Sequence, residues 1–178
     1  MPVKPSIIAI CEVPQQSALP PEFVDKAYFR DAYSVSLARE NLSVVDIFFA
    51  LFAHRPAWMK LAMVARNVLV APFGIAVSSK FEYMQPQIKR IYRVGEKIGG
   101  WPIFALSDRE LIAGRDNTHL DFRLSILRVS EGDAERVVVS TVCVVHNVFG
   151  KVYLFVITPF HQWGICWLMR AAIHAGRL

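Results

Sequence analysis

Residues 119–148 decide the fold, because they form two strand-like runs, HLDFRLSILRV (119–129) and RVVVSTVCVVHNV (136–148), around a turn at EGD (131–133). The first run alternates polar and apolar residues, which is typical of a half-buried β-strand. The central glycine of the turn allows a tight reversal, so the two runs are predicted to pair as an antiparallel hairpin. The expected register sets His119 opposite His146 and Asp121 opposite Val144. A slip by one residue would break this pairing.

The first strand of this hairpin has one polar and one apolar face, since alternate side chains point the same way. If the polar face looks into the interior, His119, Asp121 and His146 form a proton-transfer group. Arg123 would then bind a carbonyl or carboxylate. If the polar face looks outward, the same side chains form an exposed cross-strand charge ladder. The second strand, residues 137–145, is apolar on both faces, which predicts cover on both sides of the sheet.

Further strands and helices are indicated on either side of the hairpin. Strands are expected at residues 28–37, 101–106 and 110–114, and helices at 44–54, 57–71 and about 150–175. Ser43 and Asp46 resemble a capping box at the first of these helices, and Pro159 is expected to bend the last. A strand, two short helices, antiparallel strands and a long final helix are the order of an α+β helix-grip fold. In that fold a curved sheet wraps around the last helix.

The N-terminal segment differs from the rest in composition, because the first 21 residues hold five of the ten prolines. Proline fixes φ and removes a backbone donor, so this arm is expected to be extended and packed against other parts of the chain rather than helical. Residues 22–178 are then expected to form a single helix-grip domain, in keeping with the usual size of about 100 to 200 residues.

The composition excludes several classes of protein. The 178 residues are 54% hydrophobic and 20% charged, which excludes a disordered chain or a nucleic-acid tail. Three widely spaced cysteines without a CxxC pair support neither a disulfide framework nor a cysteine zinc site. Glu12 and Pro14 interrupt the only apolar run near the N-terminus, so no export signal is indicated. A reducing, cytoplasmic compartment is therefore expected.

Residues 152–169 carry no formal charge and approach the length of a membrane-spanning helix. Pro159 lies in the middle of this run beside His161 and Gln162, whose desolvation in hydrocarbon would be uncompensated. A bent helix buried in a soluble core is the expected structure.

A basic segment lies in the middle of a chain whose net charge is +5. Its cations, with two interleaved tyrosines, are Lys80, Lys89, Arg90, Arg93 and Lys97. Such a segment suits an anionic ligand group, transient contact with a membrane surface, or simply a solvated loop. No nucleic-acid-binding motif accompanies the charges, so nucleic acid is not expected as a partner.

Several segments resemble one bacterial family of proteins of unknown function, numbered 2867. They are Asp31-Ala32-Tyr33, Pro56-Ala57-Trp58, 66–70, Phe73-Gly74, 119–125, 150–153 and Pro159-Phe160-His161. This family is thought to be similar to the START-like helix-grip superfamily of polyketide cyclases and lipid carriers. The resemblance therefore implies the fold but no particular reaction. Some relatives follow a reductase-like nucleotide-binding domain, but this chain has no GxGxxG fingerprint, so no cofactor is expected.

Two main kinds of function are consistent with this sequence, beside a peripheral membrane protein that delivers the contents of a cavity through the basic segment. The first is a binding module that holds a small apolar, aromatic or amphipathic molecule in a cavity between sheet and helices. The second is a small cyclase, isomerase or hydrolase that uses His119, Asp121 and His146 in the same cavity. The expected ligand contacts are Tyr33, Trp58, Trp101, Arg123, Asn147 and His161. The spacing of the histidines matches no compact metal-ligand set, so no metal is expected.

Overall fold

The computed structural model describes residues 7–39, 41–70, 89, 91–132 and 134–178. The helices are α1 (Pro21–Asp25), α2 (Val44–Phe52), α3 (Ala57–Val70) and α4 (Val148–His174). The strands are β1 (Ala9–Cys11), β2 (Phe29–Ser36), β3 (Lys97–Ile98), β4 (Trp101–Leu106), β5 (Glu110–Arg115), β6 (Leu120–Glu131) and β7 (Ala134–Val145). Much of the basic segment, including Lys80 and Arg90, and the Phe73-Gly74 motif lie outside the described residues.

The strands form one antiparallel, curved sheet of seven strands in the order β1-β2-β7-β6-β5-β4-β3. Strand β6 pairs with β7 in the predicted register: Leu120 lies opposite Val145, and Asp121 lies opposite Val144. The α+β helix-grip arrangement expected from the order of elements is thus confirmed. Because β7 pairs with β6 on one side and β2 on the other, the hairpin occupies the middle of the sheet.

One face of the sheet, here called the inner face, packs against α2 and the C-terminal half of α4. Ile47 and Phe48 of α2 and Met169 of α4 are fully buried there against sheet residues such as Ile126 and Val139. Burial of each such side chain contributes about 1.5 to 3 kcal/mol, so this cluster is the main source of hydrophobic stability. Helix α2 begins with the predicted capping box, in which the Ser43 hydroxyl accepts from the Asp46 amide.

The opposite, outer face of the sheet is covered by the N-terminal arm. Leu19 of the arm is buried against Ile112 of β5 and Val142 of β7, with residues of α1 around them. The prediction that β7 is covered on both sides is therefore confirmed. The expectation that the arm contains no helix is wrong for its last residue, because Pro21 begins α1. Proline is well tolerated there, since the first turn of a helix needs no amide donor.

Helix α4 differs from the expected fully buried core helix. Its C-terminal half packs in the core, but in its N-terminal half Leu154 is buried while Phe155 is 82% exposed. Pro159 lies inside one continuous helix. Among the described residues, α4 is the one helix whose length and apolar composition would by themselves allow a membrane crossing.

Candidate functional site

The polar face of β6 lies on the outer face of the sheet, away from α4. Leu124 and Ile126 point into the inner core, so the alternate residues Asp121 and Arg123 point outward. Asp121 Oδ2 lies 2.9 Å from His146 Nε2, and its Oδ1 accepts from a backbone amide at 3.1 Å. His146 is exposed. Of the two orientations that the sequence left open, the structure shows the outward one, so Asp121 and Arg123 do not face the space between the sheet and α4.

Arg123 is held by contacts on the outer face. Its guanidinium pairs with Asp116 at 2.5 Å and lies 3.5 Å from the ring centroid of Phe104. It also lies 5.0 Å from the ring centroid of Phe23 in α1. A guanidinium between two aromatic rings and a carboxylate stabilises the docking of the arm. The structure therefore does not place Arg123 where a ligand between sheet and helices would touch it.

His119 and Asn147 lie at the N-terminus of α4. Asn147 is the N-cap residue, and its side-chain oxygen accepts from the Gly150 amide at 3.1 Å. Its amide nitrogen lies 2.9 Å from His119 Nδ1, and the His119 ring packs on Phe149. These contacts stabilise the start of the helix, as N-cap residues generally do.

A different polar group lies on the inner face, at the contact of β2 with α4. Asp31 and Tyr33 of β2 share this face, and the Tyr33 hydroxyl donates to Asp31 Oδ2 at 3.3 Å. His161 of α4 brings its Nε2 within 3.4 Å of the same oxygen, without hydrogen-bond geometry. The Asp31 side chain is 7% exposed. We call these three residues the Asp31 site.

The Asp31 site contains buried polar atoms that have no hydrogen-bond partner among the described residues. These are Oδ1 of Asp31 and Nε2 of His161. Buried polar groups are nearly always hydrogen-bonded, because an unmet group costs roughly 1 to 3 kcal/mol and more when it is charged. An unpaired carboxylate oxygen on an apolar face therefore marks a position where a further donor fits.

The tyrosine hydroxyl of the Asp31 site and two nearby cysteine thiols have raised pKa values, which favour their neutral forms. Burial raises the pKa of the Tyr33 hydroxyl, and the negative charge of Asp31 raises it further. Burial raises the pKa of the Cys143 thiol to about 12, again with a contribution from Asp31. Burial likewise raises the pKa of Cys166. Neither cysteine is activated as a thiolate, in agreement with their predicted role as core residues.

An incompletely buried aromatic wall extends from the Asp31 site along the inner face. Phe29 packs edge-on against His161, with ring centroids 5.9 Å apart. Phe122 of β6 and Trp101 of β4 pack edge-on against each other at 5.7 Å. Although all three rings belong to the inner clusters, each remains half-buried. Each of these rings therefore keeps part of its surface outside the packed core.

The other expected ligand contacts divide between two places. Tyr33, His161 and Trp101 lie on the inner face as described, whereas Trp58 lies on α3 against Trp163 of α4, with ring centroids 4.9 Å apart. Among the described residues no group of three His, Cys, Asp or Glu side chains lies close enough to hold a metal ion.

Sequence reasoning missed Asp31 as a site residue, although a signal was present. In β2 the alternating residues Phe29, Asp31, Tyr33 and Val35 share one face, and the other three are aromatic or apolar. A single carboxylate on such a face is unusual, because charged groups are rarely buried without a partner. The single carboxylate on an otherwise apolar strand face therefore indicated Asp31 as a candidate site residue.

The raised pKa of Cys143 gives a testable dependence of stability on pH. In the unfolded chain the thiol ionises near its ordinary pKa of 9.0, whereas in the folded protein it stays neutral up to about 12. Above the lower value the unfolded state loses a proton that the folded state keeps, so stability falls as pH rises. We expect the difference in unfolding free energy between wild type and Cys143→Ala to shrink by about 2 kcal/mol from about pH 8 to about pH 10.5. Urea denaturation of both proteins across this pH range measures the difference. If their unfolding free energies change in parallel with pH, burial does not raise the pKa of the Cys143 thiol.

Comparison with sequence models of protein families matches residues 23–166. No curated protein matches the chain at a significant level. The matched range includes both segments that meet at the Asp31 site, since Asp31 and His161 lie within it. It also covers most of the chain. The chain therefore belongs to the family described as "Protein of unknown function (DUF2867)".

Proposed function

We propose that this protein is a binding module that holds a small apolar or aromatic molecule against the inner face of the sheet. The observation that carries the proposal is the buried Asp31 carboxylate, whose Oδ1 has no partner among the described residues. Half-buried aromatic rings of Phe29, Trp101 and Phe122 lie on the same face. Ligand sites commonly combine such apolar walls with few polar groups.

The polar group defines the chemistry of the ligand. A carboxylate oxygen only accepts hydrogen bonds, so the ligand must donate one. An apolar body with a hydroxyl or amine group fits, because its donor would satisfy Asp31 Oδ1 while its body covers the aromatic wall. A ligand with an anionic group is disfavoured, since it would bring a second negative charge against Asp31.

The resemblance expected from the sequence between this family and the START-like helix-grip superfamily supports the same function. In that superfamily, small apolar molecules are held between the curved sheet and the last helix. The Asp31 site lies at this contact, since Asp31 and Tyr33 belong to β2 and His161 belongs to α4.

Enzymatic activity is the alternative function, and one distance favours it. His161 Nε2 lies 3.4 Å from Asp31 Oδ2, so the carboxylate would stabilise the imidazolium if His161 accepted a proton from the bound molecule. Such a pair suits an isomerase, cyclase or hydrolase step. It takes the place of the predicted group of His119, Asp121 and His146, because Asp121 and His146 pair on the other side of the sheet and His119 lies at the start of α4.

Native mass spectrometry of the protein purified from its own host tests the binding function. We expect a retained molecule, which extraction would identify as apolar with a hydroxyl or amine group. Asp31→Asn should weaken retention roughly ten- to a hundredfold, because a hydrogen bond to a charged group contributes about 1.5 to 3 kcal/mol.

Asp121→Asn is the matched control, because it removes a half-buried carboxylate from the outer face of the same sheet. It should retain the molecule as wild type does. Equal retention by Asp31→Asn and wild type would contradict the binding site, and so would a protein that is always empty. If His161→Gln retains a molecule that wild type converts to another, the enzymatic alternative is correct.

A further inference from the structure

Helix α4 exposes a continuous apolar stripe along its N-terminal half. Its members fall at helical spacing on one side of the helix, so they form a single surface. They are Val148, Val152, Phe155, Val156, Phe160 and Trp163, all more than half exposed. Phe155 and Phe160 are 82% and 69% exposed. Large contiguous apolar surfaces are rare on soluble monomers and usually mark an interaction site.

Helix α3 continues this stripe. Trp58, Leu61 and Val68 recur at helical spacing and are exposed, and small alanines lie between them. The two helices meet where Trp58 packs against Trp163, and again where Arg66 donates to the Tyr153 hydroxyl at 2.9 Å. The exposed sides of α3 and α4 therefore form one apolar area, which we call the two-helix surface.

The Lys, Arg, Asp and Glu charges carried by α3 and α4 themselves have one sign. Neither α3 nor α4 contains an aspartate or a glutamate. Their cations are Lys60, Arg66, Lys151 and Arg170, and of these Lys151 lies directly beside the apolar stripe. Because every Asp, Glu, Lys or Arg side chain of these two helices is basic, their apolar surface complements an anionic, partly apolar partner.

We propose that the two-helix surface docks on an anionic membrane, with α3 and α4 lying in the plane of the lipid headgroups. Exposed Trp, Phe and Val side chains would enter the interface while lysines contact the phosphates, as in other in-plane amphipathic helices. The exposed stripe of α4, from Val148 to Trp163, is about 23 Å long, which allows a continuous contact with a flat surface. It does not cross the bilayer, because its opposite side, with Ile165 and Met169, is buried against the sheet.

A lipid surface suits this area better than a folded protein partner. A specific protein interface generally includes donors and acceptors that fix the orientation of the partner. Between Val148 and Phe160 the exposed stripe offers large apolar side chains, with the single cation Lys151 at its edge. Binding to a lipid surface requires positive charge and apolar side chains that enter the bilayer interface, but no hydrogen bonds that fix the orientation of a partner. This docking does not depend on the ligand proposed for the Asp31 site.

Flotation of the full-length protein with lipid vesicles tests the proposal. We expect it to float with phosphatidylcholine vesicles that contain about one third phosphatidylglycerol, and to stay unbound with phosphatidylcholine alone. Tryptophan emission should shift to shorter wavelength on binding, because Trp58 and Trp163 lie on the docking surface. High salt should weaken the binding.

Variants locate the contact. The double variant Phe155→Ser/Phe160→Ser should lower vesicle affinity about a hundredfold, and Lys151→Gln should lower it about fivefold. Ile10→Ser is the matched control, because Ile10 is equally exposed but lies on β1, and it should bind as wild type does. Size-exclusion chromatography before flotation shows whether a second copy covers the surface instead. No binding to anionic vesicles, equal binding by the phenylalanine variant, or a dimer that this variant dissociates would overturn the proposal.

Discussion

Glu110→Ala is expected to destabilise the protein by about 3 to 4 kcal/mol, because it removes a buried carboxylate that joins the arm to the sheet. Glu110 is 4% exposed. Its Oε1 accepts from the hydroxyls of Ser17 and Ser125 at 2.5 Å each, and its Oε2 accepts from the Ala18 amide at 2.6 Å. Alanine would leave these three donors unpaired at the base of the outer-face cluster.

Urea denaturation measures this loss, and Glu135→Ala is its matched control. Glu135 pairs with Arg128 at 2.6 Å, but its side chain is 37% exposed. Surface ion pairs contribute about 1 kcal/mol or less, so the control should be close to wild type. Limited proteolysis should also cleave the arm of Glu110→Ala faster. If both alanine variants unfold at the same denaturant concentration, Glu110 does not anchor the arm.

The sheet could largely be predicted from the sequence because its signals are local. The turn at Gly132 fixes the register of β6 on β7, and both runs keep their strand pattern up to that turn. The start of α2 was also predictable, since the Ser43–Asp46 capping box involves residues three apart. Interactions between residues close in sequence can be predicted without the tertiary structure. This explains why the expected turn and capping box agree with the structure.

The direction in which the polar face of β6 points could not be predicted in the same way. Alternation shows that two faces differ, but it does not show which one packs against α4. Strand β7 is apolar on both sides, so it gives no preference. Contacts far apart in sequence determine this orientation: on the outer face Leu19 packs against Ile112 and Val142, and Phe23 lies against the Arg123 guanidinium. The same long-range packing brings Asp31 to His161, which no local spacing reveals.

The large apolar fraction of the chain is only partly explained by its core. We expected these apolar residues to form a core and the wall of a cavity. The buried cluster that contains Phe48 and Met169 accounts for many of them. The exposed stripe around Phe155 is a third location. Hydropathy alone cannot separate these locations, because a residue that packs in a core and one that contacts lipid are equally apolar.

Gly150→Ala is expected to lower the free energy of unfolding by about 2 kcal/mol or more, although alanine has a higher helix propensity than glycine by about 1 kcal/mol. Gly150 is buried in the first turn of α4, against the end of β6 and β7. A Cβ there would lie well inside contact distance of the His119 carbonyl oxygen and 2.9 Å from Val145 Cγ1. That carbonyl also accepts from the His146 amide at 2.9 Å, so it cannot move without disturbing the hairpin.

Gly164→Ala in the same helix separates this steric effect from helix propensity. A Cβ at Gly164 would meet the Met59 methyl at 3.8 Å, an ordinary contact, so only the propensity gain applies. Its unfolding free energy should be unchanged or rise by up to about 1 kcal/mol. The two variants should therefore shift thermal unfolding in opposite directions or by clearly different amounts. Similar stabilisation of both would show that the start of α4 is not packed closely on the sheet. In that case the helix that carries His161 is not held where the Asp31 site requires it.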